Sequence, residues 1–240
     1  MKPYLQTKLG TLYKGDFLKI VKEIPDQSID CVCSDPPYGI DFLSNRTDHQ
    51  EKIENDGFEI WQQEFPKWLA EFKRIITPTG VCVLCLGGGG GKYPVTAIGT
   101  LELKKYFKLI RTVVWKKNVF GLGWHYRPIY ENILVGSLSE KDYNFYDKSK
   151  ALPDLIEFSK VVPQKGDHPT QKPIELMRFF LKVHSKEGQT VIDPFIGSGC
   201  TAVACEEMNR KWIGIEINST YVELAKKRIE LKANQGKLFL

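Results

Sequence analysis

Short apolar runs alternate with amphipathic segments along most of the chain. The runs are too short for helices, and Gly or Pro follows several of them, so they predict buried strands. The run at 29–33, for example, is followed closely by two consecutive prolines. The predicted strands are 9–15 at an edge of the sheet, 29–33, 81–86, 109–115, 129–135, 191–193 and 212–215.

Apolar residues at helical spacing predict helices over 17–23, 59–75 and 173–184. Asp16 precedes the first helix as an N-cap, and Pro173 stands near the first turn of the third, where proline is favoured. The helix at 59–75 carries an apolar stripe that predicts a core face and not a base-stacking surface: Trp61, Phe65, Trp68, Leu69 and Phe72.

In three segments the apolar residues follow neither helical nor strand spacing. Segment 41–58 is long and polar, and its position predicts a flexible active-site or DNA-contacting loop, with a plain solvated loop as the alternative. The glycines at 87–91 predict a flexible strand-end loop near the active site, because the residues around them do not match a phosphate-binding loop. Segment 137–165 is polar and irregular.

The composition is that of a soluble globular protein. With 240 residues, 42% hydrophobic and 26% charged, we expect one domain over residues 1–240. A net charge of +5 permits nucleic-acid binding. We predict a cytoplasmic protein without a membrane helix or signal peptide. The six cysteines predict reduced, buried thiols and no metal site, with Cys82 and Cys85 on opposite faces of their strand.

The segment 34–39, Ser-Asp-Pro-Pro-Tyr-Gly, forms a stiff turn at the end of the strand 29–33. Pro36 and Pro37 fix the backbone and remove two donors, and they hold Asp35 in an extended conformation. The turn presents a carboxylate and free carbonyls beside the ring of Tyr38. Such an acceptor array suits an amine on a planar heterocycle. The alternative is an ordinary turn, because Asp, Pro and Gly are common turn residues.

A second motif follows the strand at 191–193. Asp193-Pro194-Phe195-Ile196-Gly197-Ser198-Gly199 is a glycine turn that leads into an apparent helix, and Glu216 ends the next strand. This spacing fits an adenosine ribose, from either a nicotinamide cofactor or S-adenosylmethionine. The carboxylate before the turn favours S-adenosylmethionine, because a pyrophosphate could not use it.

Together the two motifs resemble the amino-methyltransferases that use S-adenosylmethionine to methylate exocyclic amines of DNA bases. The family's Asp-Pro-Pro-Tyr and Asp-Pro-Phe-x-Gly-x-Gly are matched without a gap, in the permuted order of the β group. The resemblance covers 9–40, 75–135 and 165–230. It implies a doubly wound α/β fold of the Rossmann-like methyltransferase type, with a mostly parallel sheet and an antiparallel strand.

The resemblance also implies the cofactor contacts. Asp16 would reach the adenine amine, Phe17 would pack on the ring, and Glu216 would take the ribose hydroxyls. Thr170 and Lys172 would meet the methionine carboxylate, and His168 would act as a positioning residue. The full predicted set is Asp16, Phe17, Thr170, Lys172, Asp193, Phe195, Gly197, Ser198, Gly199 and Glu216.

For catalysis, the resemblance implies that Asp35 and the carbonyl of Pro36 accept the hydrogens of the target amine, while Tyr38 stacks on a flipped base. The predicted catalytic residues are Asp35, Pro36, Pro37 and Tyr38. Aspartate at 35 favours adenine N6, because the N4-cytosine enzymes usually carry serine there. An N4-cytosine enzyme, a silent nucleic-acid-binding module and a nicotinamide oxidoreductase are the alternatives.

DNA is the implied substrate, and a cognate restriction endonuclease is a potential partner. The segment 116–127 mixes cations with aromatic residues, which suits phosphates and an unstacked base. Trp115-Lys116 and Glu131 resemble a family segment beside the base pocket. Segment 137–165 occupies the place of the target-recognition insertion, and it is short. The predicted DNA contacts are Arg46, Lys116, Lys117 and Arg127.

Overall fold

A nine-stranded sheet forms the centre of the computed structural model, which describes residues 2–39, 43–44, 51–52, 57–87, 93–121, 125–149, 151–162, 168 and 170–235. Its strands are β1 Leu5–Gln6, β2 Gly10–Lys14, β3 Ile29–Ser34, β6 Ile76–Cys85, β7 Leu109–Lys116, β8 Tyr130–Ser137, β9 Leu155–Glu157, β10 Thr190–Asp193 and β11 Lys211–Glu216. A separate antiparallel pair is formed by β4 Leu43–Ser44 and β5 Glu51–Lys52.

Helices cover both faces of this sheet. They are α1 Phe17–Ile20, which continues into a 3-10 turn at Val21–Glu23, α2 Phe58–Ile75, α3 Val95–Tyr106, α4 Ile174–His184, α5 Cys200–Glu207 and α6 Ser219–Gln235. Within the described ranges, no helix is both long and apolar enough to cross a membrane.

The strand order is β1-β2-β11-β10-β3-β6-β8-β7-β9. Strands β2, β11, β10, β3 and β6 are parallel, and β8 runs antiparallel to its neighbours β6 and β7. The predicted doubly wound, mostly parallel sheet is therefore confirmed. From β10 the chain passes through α5 to β11, and from β3 it passes through α2 to β6 on the other side. The neighbours β10 and β3 thus form a topological switch point, where ligands of such sheets bind.

The core consists of two apolar layers, one on each face. Alternate residues of β3 and β6 enter different layers, as the period of two in a strand requires. Cys31 and Cys33 pack with α4, α5 and α6, whereas Val32 packs with α1, α2 and α3. Cys82 and Cys85 lie in different layers, as predicted, and all six cysteines are buried free thiols.

Several sequence predictions need correction or extension. The strand predicted at 9–15 is present as β2, but its predicted position at the edge is wrong, because β1 pairs with the outer side of β2. Segment 137–165 is less irregular than expected, because β9 adds to the far edge of the sheet beside β7. Pro173 is the N-cap of α4, just before its first turn. The stripe of α2 is buried, as predicted.

Candidate active site

Four parallel strands bring the predicted motifs to one edge of the sheet. In spatial order, Asp16 follows β2, Glu216 ends β11, Asp193 ends β10 and Asp35 follows β3. Adjacent strands lie about 4.8 Å apart, so this row extends over roughly 14 Å. The edge opens into a cleft of ≈ 400 Å³. It is lined by the turn 34–39, named the catalytic turn for its predicted role, and by the glycine turn 193–199.

In the catalytic turn, both carboxylate oxygens of Asp35 are engaged. The hydroxyl of Tyr38 donates a short hydrogen bond to Asp35 Oδ1, and Lys172 Nζ donates one of 2.7 Å to Oδ2. The side chain of Asp35 is 23% exposed, towards the cleft. The turn therefore presents a partly exposed acceptor that is already oriented by two donors.

A buried ion network extends from Asp35 across the cleft. Lys172 Nζ lies 3.3 Å from Glu131 Oε2, and Lys117 Nζ donates to Glu131 Oε1 at 3.2 Å. The side chains of both lysines are only 7% exposed. Two ammonium groups thus alternate with two carboxylates, which compensates the cost of burying each charge.

The network sets the charge of its members. Burial raises the pKa of Asp35 above its usual value, and the ammonium of Lys172 opposes this rise. Burial would also raise the pKa of Glu131, but the two lysines outweigh it and hold that pKa below the usual value. For Lys172, the carboxylates of Asp35 and Glu131 outweigh burial and raise its pKa, so it stays charged.

Asp193 opens the glycine turn, and its carboxylate accepts three hydrogen bonds. Its Oδ1 accepts from Ser34 Oγ at 2.6 Å and from the Phe195 amide at 3.1 Å, and its Oδ2 accepts from Thr201 Oγ1 at 2.6 Å. Burial raises its pKa to about 6, against these hydrogen bonds. The carboxylate lines the cleft and holds the turn in shape at the same time.

The glycine turn requires glycine at both ends. Gly197 and Gly199 have φ values of +48° and +82°, which L side chains rarely adopt. A Cβ on Gly197 would lie 3.3 Å from His168 Nε2, so the turn forms a cradle that a side chain would fill. The Gly197 amide donates to Glu216 Oε2 at 2.9 Å, and the Asn218 amide donates to Oε1 at 2.8 Å. Burial raises the pKa of Glu216 to about 7.

A second cavity of ≈ 320 Å³ adjoins the first and shares Pro37, Phe195, Glu216 and Ile217 with it. Asp16 and Phe17 line this cavity, and Asp16 also caps α1 by accepting from the Leu18 amide at 2.8 Å. The ring of Phe195 contacts Phe17 and Trp68 at centroid distances of 5.9 and 4.5 Å. An aromatic, partly polar cavity of this kind suits a purine ring.

The two cavities together fit an elongated cofactor with an adenosine at one end. Asp16 and Phe17 lie at the aromatic end, Glu216 lies at the shared middle, and the glycine turn borders the end near Asp35. Among the described residues, no cluster of three metal-ligating side chains is present.

The segment before α4 borders the same cleft. His168 packs its ring on Tyr221 at 4.2 Å, and its Nδ1 accepts from the Thr170 amide at 3.3 Å. Burial lowers the pKa of His168 to about 4, so the ring is neutral. Thr170 lines the cleft, whereas the ammonium of Lys172 points to Asp35 and Glu131.

The predicted DNA contacts lie in different environments. Lys116 is exposed and pairs with Glu157 at 2.7 Å. Arg127 donates from Nε to the Gly121 carbonyl at 2.9 Å and covers the ring of Phe120. Lys117 is buried in the wall of the cleft and is not a surface cation. Arg46 lies outside the described residues.

Sequence reasoning missed several residues of the site. Ser34 and Thr201 donate hydrogen bonds to the carboxylate of Asp193. Nothing in the sequence indicates this role except that both residues stand next to the motifs. Trp68 was predicted as core, and it is 5% exposed, but it also lines the second cavity. The link between Lys172 and Asp35 joins positions 137 residues apart, so no local pattern could have indicated it.

Comparisons with known proteins show which family this chain resembles. Residues 29–227 match the DNA methylase family model for N6 and N4 enzymes. The chain is 28% identical to the type II methyltransferase M2.DpnII of Streptococcus pneumoniae, over 95% of this chain and 92% of that protein. It is 29% identical to the type II methyltransferase M.HpaI of Haemophilus parainfluenzae, over 90% of this chain and 73% of that protein.

Solved structures share the fold. The cytosine-N4-specific PvuII DNA methyltransferase superposes with a TM-score of 0.74 at 21% identity, over 98% of this chain and 94% of that one. M1.HpyAVI, solved as a complex with S-adenosylmethionine, superposes with a TM-score of 0.69 at 23% identity, over 92% of this chain and 99% of that one. Because the family model matches most of this chain, the chain belongs to the DNA methylases that modify the N6 amine of adenine or the N4 amine of cytosine.

Proposed function

We propose that this protein methylates the N6 amine of adenine in DNA, with S-adenosylmethionine as the methyl donor, after flipping the target base out of the duplex. The observation that carries the proposal is the position of Asp35. Its partly exposed carboxylate lines the same cleft as the glycine turn, so an amine bound to Asp35 lies beside that turn.

The donor binds across both cavities in this proposal. Asp16 and Phe17 hold the adenine, Glu216 accepts from the ribose hydroxyls, and the turn Gly197–Gly199 lets the backbone approach closely. When bound, S-adenosylmethionine supplies an electrophilic methyl group on a sulfonium.

The target amine is activated by the catalytic turn. Its lone pair is delocalised into the base, and hydrogen bonds to Asp35 and to the Pro36 carbonyl favour a tetrahedral nitrogen that is a better nucleophile. As the nitrogen–carbon bond forms, the carbon–sulfur bond breaks and the nitrogen gains positive charge. Asp35 stabilises this charge and accepts the proton that the nitrogen then loses.

Tyr38 has to move for this to occur. In the structure its hydroxyl donates to Asp35 Oδ1, which is one of the positions that the amine would take. On base entry the amine replaces the hydroxyl, and the ring of Tyr38 stacks on the base. Because stacking on an aromatic ring is worth about 1–3 kcal/mol per base, it offsets part of the cost of unstacking.

The choice of base rests on Asp35 itself, since aspartate at this position favours adenine. The alternative, N4-methylation of cytosine, is favoured by the fold likeness to the PvuII enzyme, which is named as cytosine-N4-specific. The names of M2.DpnII and M.HpaI as type II methyltransferases support a role in a restriction-modification system with a cognate endonuclease.

The test is to incubate the purified protein with unmethylated DNA and S-adenosylmethionine, digest to nucleosides, and identify the product by mass spectrometry. We expect N6-methyladenine, and its loss in Asp35→Ala. Glu187→Ala, which removes an exposed carboxylate outside both cavities and outside segment 137–165, serves as the control and should leave the product unchanged. N4-methylcytosine would overturn the base assignment, and the absence of any methylated base would overturn the proposed activity.

A further inference from the structure

Lys172 lies between the two carboxylates of the cleft. Its ammonium is 2.7 Å from Asp35 Oδ2, 3.0 Å from the Tyr38 hydroxyl and 3.3 Å from Glu131 Oε2. An ammonium has three N–H donors, and three oxygens surround it within reach. The side chain lines the cleft but is only 7% exposed, and the three oxygens around its ammonium all belong to the protein.

We propose that Lys172 is a positioning residue for Asp35 in the methyl transfer, and not a contact of the cofactor. It fixes Oδ2 of the carboxylate, keeps the group ionised, and directs Oδ1 towards the amine that enters. The inference rests on the proposed function, because it assigns to Lys172 a part in the same reaction.

The backbone of Lys172 adds a second connection. Its carbonyl accepts a hydrogen bond of 2.9 Å from Cys200 Sγ, at the start of α5 directly after the glycine turn. Side chain and backbone of one residue therefore join the catalytic turn to the cofactor loop. This arrangement fixes the position of Asp35 relative to the place where the methyl group must lie.

The charge of Lys172 has no substitute around Asp35. Among the described groups, those that act on Asp35 or are acted on by it are Tyr38, Cys85, Glu131, Lys172 and Asp193. Four of these are neutral or acidic, and the second ammonium, that of Lys117, is bonded to the other carboxylate, Glu131. Removal of Lys172 therefore leaves the hydrogen bond from Tyr38 as the group that opposes burial and the charge of Glu131, so the pKa of Asp35 rises further.

The variant Lys172→Met tests this role, with the nucleoside assay giving kcat at saturating S-adenosylmethionine across pH. We expect kcat to fall about 10²-fold, the range seen when one electrostatic group is removed from a reacting site. Because Asp35 must be ionised to accept the amine, the acid limb of the kcat profile should move to higher pH. Lys172→Arg keeps the charge and should keep the acid limb where the wild-type protein has it.

Cofactor binding is measured separately, by calorimetry with S-adenosylhomocysteine, which retains the amino-acid carboxylate. We expect the dissociation constant of Lys172→Met to equal that of the wild-type protein. Lys182→Met, an exposed lysine on α4, is the matched control for both readouts. Weaker binding of S-adenosylhomocysteine with unchanged kcat, or an acid limb that does not move, would overturn the proposal.

Lys172→Met leaves a buried carboxylate unpaired and for that reason risks misfolding. The double variant Asp35→Asn with Lys172→Met removes both charges, while Lys117 still pairs with Glu131. It should bind S-adenosylhomocysteine as tightly as Asp35→Asn alone, and weaker binding would contradict the inference. A failure of the proposed function is distinct, since it appears as a wrong or missing product of the wild-type protein.

Discussion

Ser34 Oγ, at the end of β3, donates a hydrogen bond of 2.6 Å to Asp193 Oδ1, at the end of β10. These strands are neighbours at the point where the winding of the sheet reverses. Ser34 directly precedes Asp35, and Asp193 opens the glycine turn. One side-chain bond therefore joins the loop that activates the amine to the loop that borders the cofactor cavity.

The change Ser34→Ala should destabilise the fold, because it removes one hydrogen bond from a buried carboxylate. We expect the free energy of unfolding to fall by about 1–3 kcal/mol, measured by urea denaturation at pH 8, where Asp193 is ionised. The control is Ser28→Ala, which removes an exposed hydroxyl bond to the Pro25 carbonyl and should cost about 0.5 kcal/mol or less. Equal effects of the two changes would show that the Ser34 bond does not stabilise the fold.

Gly199→Ala should damage the glycine turn by two separable effects. Its φ of +82° strains any L side chain, and its Cβ would lie 3.1 Å from the backbone Cα of Ala225 in α6. Gly188 has a similar φ of +76°, but nothing lies within 4 Å of a Cβ there. We expect Gly188→Ala to cost about 1–2 kcal/mol by strain alone, and Gly199→Ala to cost more.

Thermal and urea unfolding of both glycine variants measure this difference. Gly199→Ala should also weaken the binding of S-adenosylhomocysteine, because a shift of Gly199 displaces its neighbours Ser198 and Cys200, which line the cleft. Gly188→Ala should not, because Gly188 and its neighbours lie outside both cavities. If the two variants were equally destabilised, the contact between the turn and α6 would not be a close one.

Lys116 is a predicted DNA contact that the structure leaves accessible. Its side chain is 45% exposed, and its partner Glu157 is 61% exposed, so the pair contributes about 0–1 kcal/mol and is easily exchanged for a phosphate. Lys116→Ala should weaken DNA binding and reduce the slope of log K against log salt concentration by about 1. Lys182→Ala removes an exposed lysine of α4 as the control, and an unchanged slope in Lys116→Ala would argue against a phosphate contact.

The sequence predicts the centre of the sheet well and its margins poorly. Strands such as β3 and β10 are apolar on both faces, because helices cover both, and such runs stand out in a sequence. The two-residue β1 and the three-residue β9 are too short for a recognisable alternation of apolar and polar residues. For this reason the sequence predicts an edge at 9–15 and does not predict β9.

The site shows the same limit. Asp35 and Asp193 were predicted because each stands in a contiguous motif with proline and glycine at fixed positions. The ion network joins Lys117 and Glu131, which lie 14 residues apart, to Lys172 in the loop before α4, and each lysine alone has the pattern of a surface cation. Only the packing of the loop before α4 against β8 shows that their charges are buried.

Glu216 should make cofactor binding depend on pH. Its two oxygens accept from the Gly197 and Asn218 amides, and burial raises its pKa to about 7, with the charge of Asp193 as a further cause. A raised carboxyl pKa means that the folded protein binds a proton at pH 6 that is lost by pH 8. Because ribose hydroxyls donate to an ionised carboxylate, we expect tighter binding of S-adenosylhomocysteine at pH 8 than at pH 6.

Calorimetry at pH 6 in buffers of different ionisation enthalpy should show release of a proton from the wild-type protein. Glu216→Gln should bind weakly and without this release, whereas Glu140→Gln, an exposed control, should behave as the wild type. Binding that strengthens towards pH 6 would contradict this role of Glu216.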